Sequence, residues 1–136
     1  MFERCLYFNI NALTRKINKI WDQAFSELGF SPAHAYLLRL VLDSPGISQK
    51  EIAEELKLEK STVTRFIDTL QQRGYLKRTR NGRVQIIQPT ASAKKLQDQL
   101  NTKGDFLYRQ MIKAIGRSDL VELVGQLRES SSKLNK

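Results

Sequence analysis

Apolar residues recur at three- and four-residue steps from the start of the chain: Leu6, Ile10, Leu13, Ile17, Ile20, Ala24 and Leu28. That spacing returns to one side of a 3.6-residue turn, so it predicts a long first helix with a single apolar face. Gly29 suits its stop. Ser31-Pro32 then opens a second helix, with serine as N-cap and proline at the first helical position. Tyr36, Leu37, Leu40 and Val41 form its inner face, and Pro45-Gly46 ends it. Ser48 followed by Glu51 is a capping-box pattern for a third helix, whose apolar face is Ile47, Ile52, Ala53 and Leu56. Leu58 fills the next turn. A fourth helix starts near Lys60, buries Val63, Ile67 and Leu70, and stops at Gly74, a residue free to turn left-handed.

The period changes after Gly74. Tyr75–Arg80 and Arg83–Gln88 read as strands on either side of Asn81-Gly82, a pair suited to the two positive-φ positions of a tight hairpin turn. Pro89 breaks the second strand, and Thr90 caps a fifth helix marked by Leu96, Leu100, Leu107, Met111 and Ile115, with Gly104 as a possible bend. Gly116-Arg-Ser118 restarts a last helix carrying Leu120, Leu123, Val124 and Leu127, and the segment from Ser130 to Lys136 is expected to fray. No internal repeat or low-complexity segment interrupts this order.

The expected fold is mainly α: a winged helix-turn-helix with N- and C-terminal helices forming a dimerisation region. Residues 31–90 make the winged DNA-binding region, and residues 1–30 and 91–136 the helical dimerisation region, within one structural domain. Dimerisation has a physical motive. The stripes at 6–28 and 96–127 are more apolar surface than the small winged core can cover.

Charge sharpens this picture. The chain has 23 Lys and Arg against 14 Asp and Glu, a balance of +9. Between Lys60 and Arg83 lie seven bases and one acid, Asp68, so 7 − 1 = +6 sits in that span and +3 in the other 112 residues. Charge gathered on one motif is what counterion release from nucleic acid requires. In 136 residues that are 40% apolar there is material for one core, and no run approaches the ~18 apolar residues of a membrane span. Without a signal-peptide pattern at the start, and with one cysteine, the expected location is the cytoplasm and no membrane partner is expected.

With Val63, Ile67 and Leu70 turned inward, Ser61, Thr62, Thr64, Arg65 and Asp68 face outward on the fourth helix. Short hydroxyl side chains let a backbone approach base edges. A threonine methyl can meet a thymine methyl, and an arginine can bond guanine in bidentate fashion. The expected contacts with double-stranded DNA are therefore Ser48, Gln49, Lys60, Ser61, Thr62, Thr64, Arg65, Arg73, Lys77, Arg78, Arg80 and Arg83. Arg80 and Arg83 flank the hairpin turn. They can enter a narrow minor groove, or meet phosphates and keep the edge strands soluble.

These pieces together resemble the MarR family of transcription regulators. The matching segments are Ile47-Ser-Gln-Lys-Glu-Ile-Ala, Lys60-Ser-Thr-Val-Thr-Arg, Leu70-Gln-Gln-Arg-Gly-Tyr-Leu and Pro89-Thr90, and the resemblance runs through nearly the whole chain. It implies a homodimer of winged subunits with intertwined first and last helices, bound to a short pseudo-palindrome. It also implies a repressor released by a small aromatic acid or phenol. Two departures stand out: the wing tip reads Arg80-Asn-Gly-Arg83 in place of an Asp-x-Arg form, and Ala93 stands where the family has a glycine.

The resemblance places an effector near the first and second helices, which makes Arg15, Trp21, Phe25, His34 and Tyr36 the candidate effector-binding residues, in a crevice also bounded by the fifth helix. Arg15 is the counter-charge for an acidic ligand or a solvated arginine. Trp21 and Phe25 at helical spacing fit a core or dimer contact as well as a pocket wall. Cys5 is expected to be an ordinary thiol, since the position of the cysteine in peroxide-sensing relatives is Leu13 here. One histidine and one cysteine make neither an ordinary structural zinc site nor a Ser-His-Asp set, so no metal, no cofactor and no enzymatic activity are expected. Two other readings stay open: a constitutive DNA-binding protein without effector, and an adaptor that binds protein through its winged helix.

Overall fold

The computed structural model describes residues 1–135; Lys136, the last residue of the segment expected to fray, lies outside the described residues. The chain divides within the helix Gln97–Ile115 into two units, residues 1–101 and 102–136.

The first unit begins with α1, Leu6–Ser26. Its N-cap, Cys5, makes no side-chain cap; Asn9 instead donates from Nδ2 to the carbonyls of Phe2, Glu3 and Cys5, at 3.2, 3.1 and 2.7 Å. None of the seven residues of its predicted apolar stripe is fully buried: Leu6 is 67% exposed, Ile10 and Ile20 also reach solvent, and Leu13, Ile17, Ala24 and Leu28 are half-buried, whereas Phe25, outside that stripe, is buried completely. The helix stops as the sequence predicts: Gly29 takes φ +81°, and the Phe30 N–H returns to the Phe25 carbonyl at 3.2 Å.

Helix α2, Pro32–Asp43, is capped by Ser31, whose oxygen accepts from the His34 N–H at 3.2 Å. Leu37 and Val41 are buried as expected, joined by Ala35, Leu38 and Leu42; Tyr36 and Leu40 are only half-buried. Helix α3, Gln49–Leu56, has both halves of its capping box: Ser48 Oγ accepts from the Glu51 N–H, and a Glu51 carboxylate oxygen accepts from the Ser48 N–H. Hydrogen bonding from the Ser48 side chain first, and from its backbone N–H second, holds the Glu51 carboxyl below the usual carboxylate range. The turn closes on Lys57, a non-glycine residue at φ +55°, with the Leu58 N–H on the Ala53 carbonyl at 3.1 Å. Helix α4, Lys60–Gln72, buries Val63, Ile67 and Leu70 completely, and Gly74 at φ +85° ends it through Tyr75 N–H to Leu70 O, 2.9 Å.

Three antiparallel strands in the order β1-β3-β2 form the sheet. β2 is Leu76–Asn81 and β3 is Val84–Pro89. β1, Ile47–Ser48, was not expected; it pairs Ile47 with Ile87 and Ser48 with Ile86. The hairpin turn is also displaced by one residue. Asn81 pairs with Val84, so the loop is Gly82-Arg83 rather than Asn81-Gly82. Only Gly82 has positive φ there, at +68°, which is the φ pattern of a turn with glycine at its first central position. Pro89 does not break β3 but completes it opposite Leu76.

The helix after the wing is not continuous from Thr90. Thr90 caps α5, Ala91–Lys94, by accepting from the Ala93 N–H, and its hydroxyl donates to the Gly74 carbonyl at 2.6 Å. The Leu96 N–H then bonds back only three residues, to Ala93, and the tightened turn separates α5 from α6, Gln97–Ile115. Ala93 and Leu100 are fully buried.

The second unit holds the rest of α6 and α7, Arg117–Lys133. Gly116 at φ +102° is the N-cap of α7, and the helix runs through Ser130–Lys133, which were expected to fray. Leu107, Met111 and Leu120 are buried, whereas Phe106, Tyr108, Val121, Val124 and Leu127 are exposed. Among the described residues no helix is long and apolar enough to cross a membrane, and no group of His, Cys, Asp or Glu is arranged to hold a metal ion.

Candidate nucleic-acid interface

Helix α4, its C-cap Arg73 and the hairpin β2–β3 carry the seven bases, and the structure divides those bases into two kinds. Arg78, on β2, turns back onto α4. Its Nη2 meets Asp68 Oδ1 at 2.6 Å and the Thr64 carbonyl at 3.2 Å, and its Nη1 donates to Gln71 Oε1 at 2.6 Å. The planar fork of arginine suits such a set of acceptors. Arg73, just after α4, lies over the rings of Phe30 and Tyr75, 4.5 and 5.4 Å from their centroids. Both arginines therefore tie the motif together.

Lys60, Arg65, Lys77, Arg80 and Arg83 are exposed, and none has a side-chain partner among the described residues. Seven bases less two tied arginines leaves five free cations, and the lone acid of the span, Asp68, is already paired. Ser61 is exposed and Thr62 half-buried on the first turn of α4. Ser48 is buried and committed to its capping box. Gln49, at the start of α3, donates from Nε2 to Thr64 Oγ1 at 2.5 Å, and that hydroxyl donates in turn to the Lys60 carbonyl at 2.9 Å. This bond crosses directly from one helix of the motif to the other.

The partners of Arg78 and Arg73 were missed from the sequence. Asp68 offered a signal, since a single acid among seven bases invites an internal pairing. Phe30, Tyr75 and Gln71 offered none, because their contacts depend on where β2 runs after Gly74.

The five candidate effector residues do not come together as one set. Trp21 donates from Nε1 to Tyr36 Oη at 3.1 Å, and Phe25 meets the Tyr36 ring edge-on at 5.5 Å. Arg39 lies over the same tyrosine at 5.2 Å. His34 lies elsewhere, against Phe66 of α4, ring centroids 4.3 Å apart, where it borders an open hollow with Arg65, Asp68 and Thr69. Residues 34 and 36 are about 200° apart around a helix, so opposite directions were legible in the spacing. Burial first, and the nearby Arg73 charge second, push the His34 pKa below its usual value. Its Nδ1 is 2.5 Å from Ser31 Oγ, and its Nε2 is buried with no hydrogen-bond partner. Arg15 is exposed on α1.

Residues 28–84 match the sequence profile of the MarR family. The winged helix-turn-helix of this chain is a MarR-family one. The uncharacterized HTH-type transcriptional regulator YybA of Bacillus subtilis is 25% identical over 99 residues, which span 71% of this chain and 66% of that protein, just under two thirds of its length. The MarR-like fold extends beyond the matched segment. PcaV of Streptomyces coelicolor, solved with its natural ligand, superposes with a TM-score of 0.87 at 18% identity, covering 99% of this chain and 97% of its own. MepR of S. aureus, solved as a DNA complex, gives 0.84 at 17% identity, covering 98% of this chain and all of its own.

Proposed function

We propose that this MarR-family chain is a sequence-specific, DNA-binding transcriptional regulator, acting in the cytoplasm as a homodimeric repressor on a pseudo-palindromic operator. The observation that carries this reading is the set of five unpaired cations on α4 and the hairpin, beside a first helical turn of short hydroxyl side chains. Lys60, Lys77, Arg80 and Arg83 serve phosphates or the minor groove, and Arg65 serves a base edge. Arg73 and Arg78 act by holding α4 and β2, and Ser48 by starting α3. Residues 31–90 are the DNA-binding region. Residues 1–30 and 91–136 are the dimerisation region, supported by the uncovered apolar residues of α1 and, separately, of α6 and α7. The MepR–DNA complex supports the DNA partner by likeness of fold.

Release by a small aromatic or phenolic effector is the second half of the proposal, favoured by the half-buried Trp21–Tyr36 pair. Phe25, fully buried, backs that pair. His34, on the other side of α2, acts with the α4 hollow instead. An effector that favours a dimer whose reading helices no longer lie ~34 Å apart would weaken operator binding.

Arg65→Ala and Lys77→Ala test the assignment together. Arg65→Ala should relax base preference at one position and cost ~1–3 kcal/mol on operator DNA. Lys77→Ala should weaken all duplexes alike and lower the salt slope by about one unit per half-site. Equal losses by both variants on operator and random duplex would remove base readout from Arg65.

A further inference from the structure

Thr64 is held from three directions. Its hydroxyl accepts from Gln49 of α3 and donates to Lys60 one turn back on α4, and its carbonyl accepts from Arg78 of β2. The donors and acceptors settle each role. Lys60 O can only accept, so the Thr64 proton points there, and the Gln49 group facing Thr64 must be its NH₂. The hydroxyl thus spends its proton and one lone pair inside the protein. The γ-methyl is the only Thr64 side-chain group without a bonding role, on a residue of α4 that is half-buried.

We infer that Thr64 is a specificity-determining residue that reads the C5-methyl of a thymine by apolar contact, with Gln49 and Arg78 as the positioning residues that aim it. This deepens the DNA-binding reading above and rests on it. A hydroxyl free to rotate would meet several base edges equally well. With its proton and one lone pair engaged at home, the hydroxyl is fixed and has no proton left for a base; the side chain holds its methyl in one place, and in the major groove the thymine methyl is the group that matches it.

The test uses the full-length protein and single-atom-group changes in the DNA. An operator is first selected from randomised duplexes, and each of its thymines is then replaced singly by deoxyuridine, which removes only the methyl. At one thymine per half-site the parent should lose about fourfold in affinity, the transfer value of one methyl group. Thr64→Val keeps the methyl but drops the bond from Gln49, so it should retain a reduced thymine-over-uracil preference, as Gln49→Ala does. Thr64→Ser keeps the hydroxyl and should lose it, and Gln49→Ala should blunt it. The proposal is overturned if no thymine responds to loss of its methyl, or if Thr64→Ser discriminates as the parent does. It is overturned too if Thr64→Val abolishes the preference while Gln49→Ala leaves it intact, which would mean the hydroxyl reads. If the selection yields no enriched sequence, sequence-specific binding fails and this inference falls with it. An enriched operator with no methyl effect removes only the inference.

Discussion

The winged motif and the helical ends treat their surfaces in opposite ways. Around α4, polar groups are matched inside the protein: Arg78 bridges Asp68, Gln71 and Thr64, Gln49 bonds Thr64, and Thr90 bonds Gly74. On α1, and on α6 and α7, the apolar side chains are left open: Leu6, Tyr7 and Phe8 on the first, Phe106, Val121 and Leu127 on the others. A surface whose shape is fixed from within is suited to reading a rigid partner. A surface with uncovered apolar groups needs a partner to be complete. Within one chain, the two differ in where their stabilising contacts come from.

The sharpest way to break this contrast is to make the open apolar surface polar. Val124→Glu with Leu127→Glu should raise the dimer dissociation constant about a hundredfold, ~3 kcal/mol, with the helix content of the protein unchanged because both sites are exposed. Sedimentation velocity across the micromolar range reads this directly, and a parent chain that is monomeric throughout would remove the dimer.

Next in size is Arg78→Ala. It leaves Asp68 unpaired and removes the bonds to Gln71 and Thr64, so denaturant unfolding should show a loss of about 1–2 kcal/mol, the lower part of the charged hydrogen-bond range because Asp68 is 60% exposed. DNA affinity should fall with the salt slope unchanged. Lys77→Ala is the mirror image, with stability unchanged and the slope lowered. A lowered slope in Arg78→Ala would place that guanidinium on a phosphate after all.

The smallest effect concerns His34. Its pKa in the folded chain lies below the ordinary 6.5, so as pH falls the unfolded chain takes the proton first. Its contribution to stability is therefore full above about pH 6.5 and declines as pH drops through that value toward the folded pKa. The melting temperature should fall between pH 7 and 5, and His34→Gln should flatten that fall. Equal slopes in parent and variant would show that His34 does not carry the dependence.

Local signals made the helices legible. Ser31-Pro32, the Ser48/Glu51 box, Gly29 and Gly74 act over four or five residues, and each sits where its chemistry predicts. What failed was non-local. β1 is two residues long, too short for any period, and exists because Ile87 passes beside Ile47. The hairpin turn was set by the ladder from Leu76–Pro89 to Asn81–Val84, and this register overrode the preference of Asn-Gly. The candidate DNA-binding residues were legible as charge but not as roles, since lysines and arginines look alike until the chain folds back and gives Arg73 two aromatic rings and Arg78 an aspartate. Ala93, the residue that departs from the glycine implied by the resemblance, is fully buried.

Ser48 belongs to two elements at once: it is the last residue of β1, opposite Ile86, and the cap of α3 through Glu51. Opening the root of the wing therefore means releasing the first turn of α3 as well. In amide exchange, the Glu51 and Ile87 regions should lose protection as one cooperative unit, although 36 positions separate them in the chain. The hairpin tip at Gly82-Arg83, beyond the last ladder pair, is free to exchange on its own.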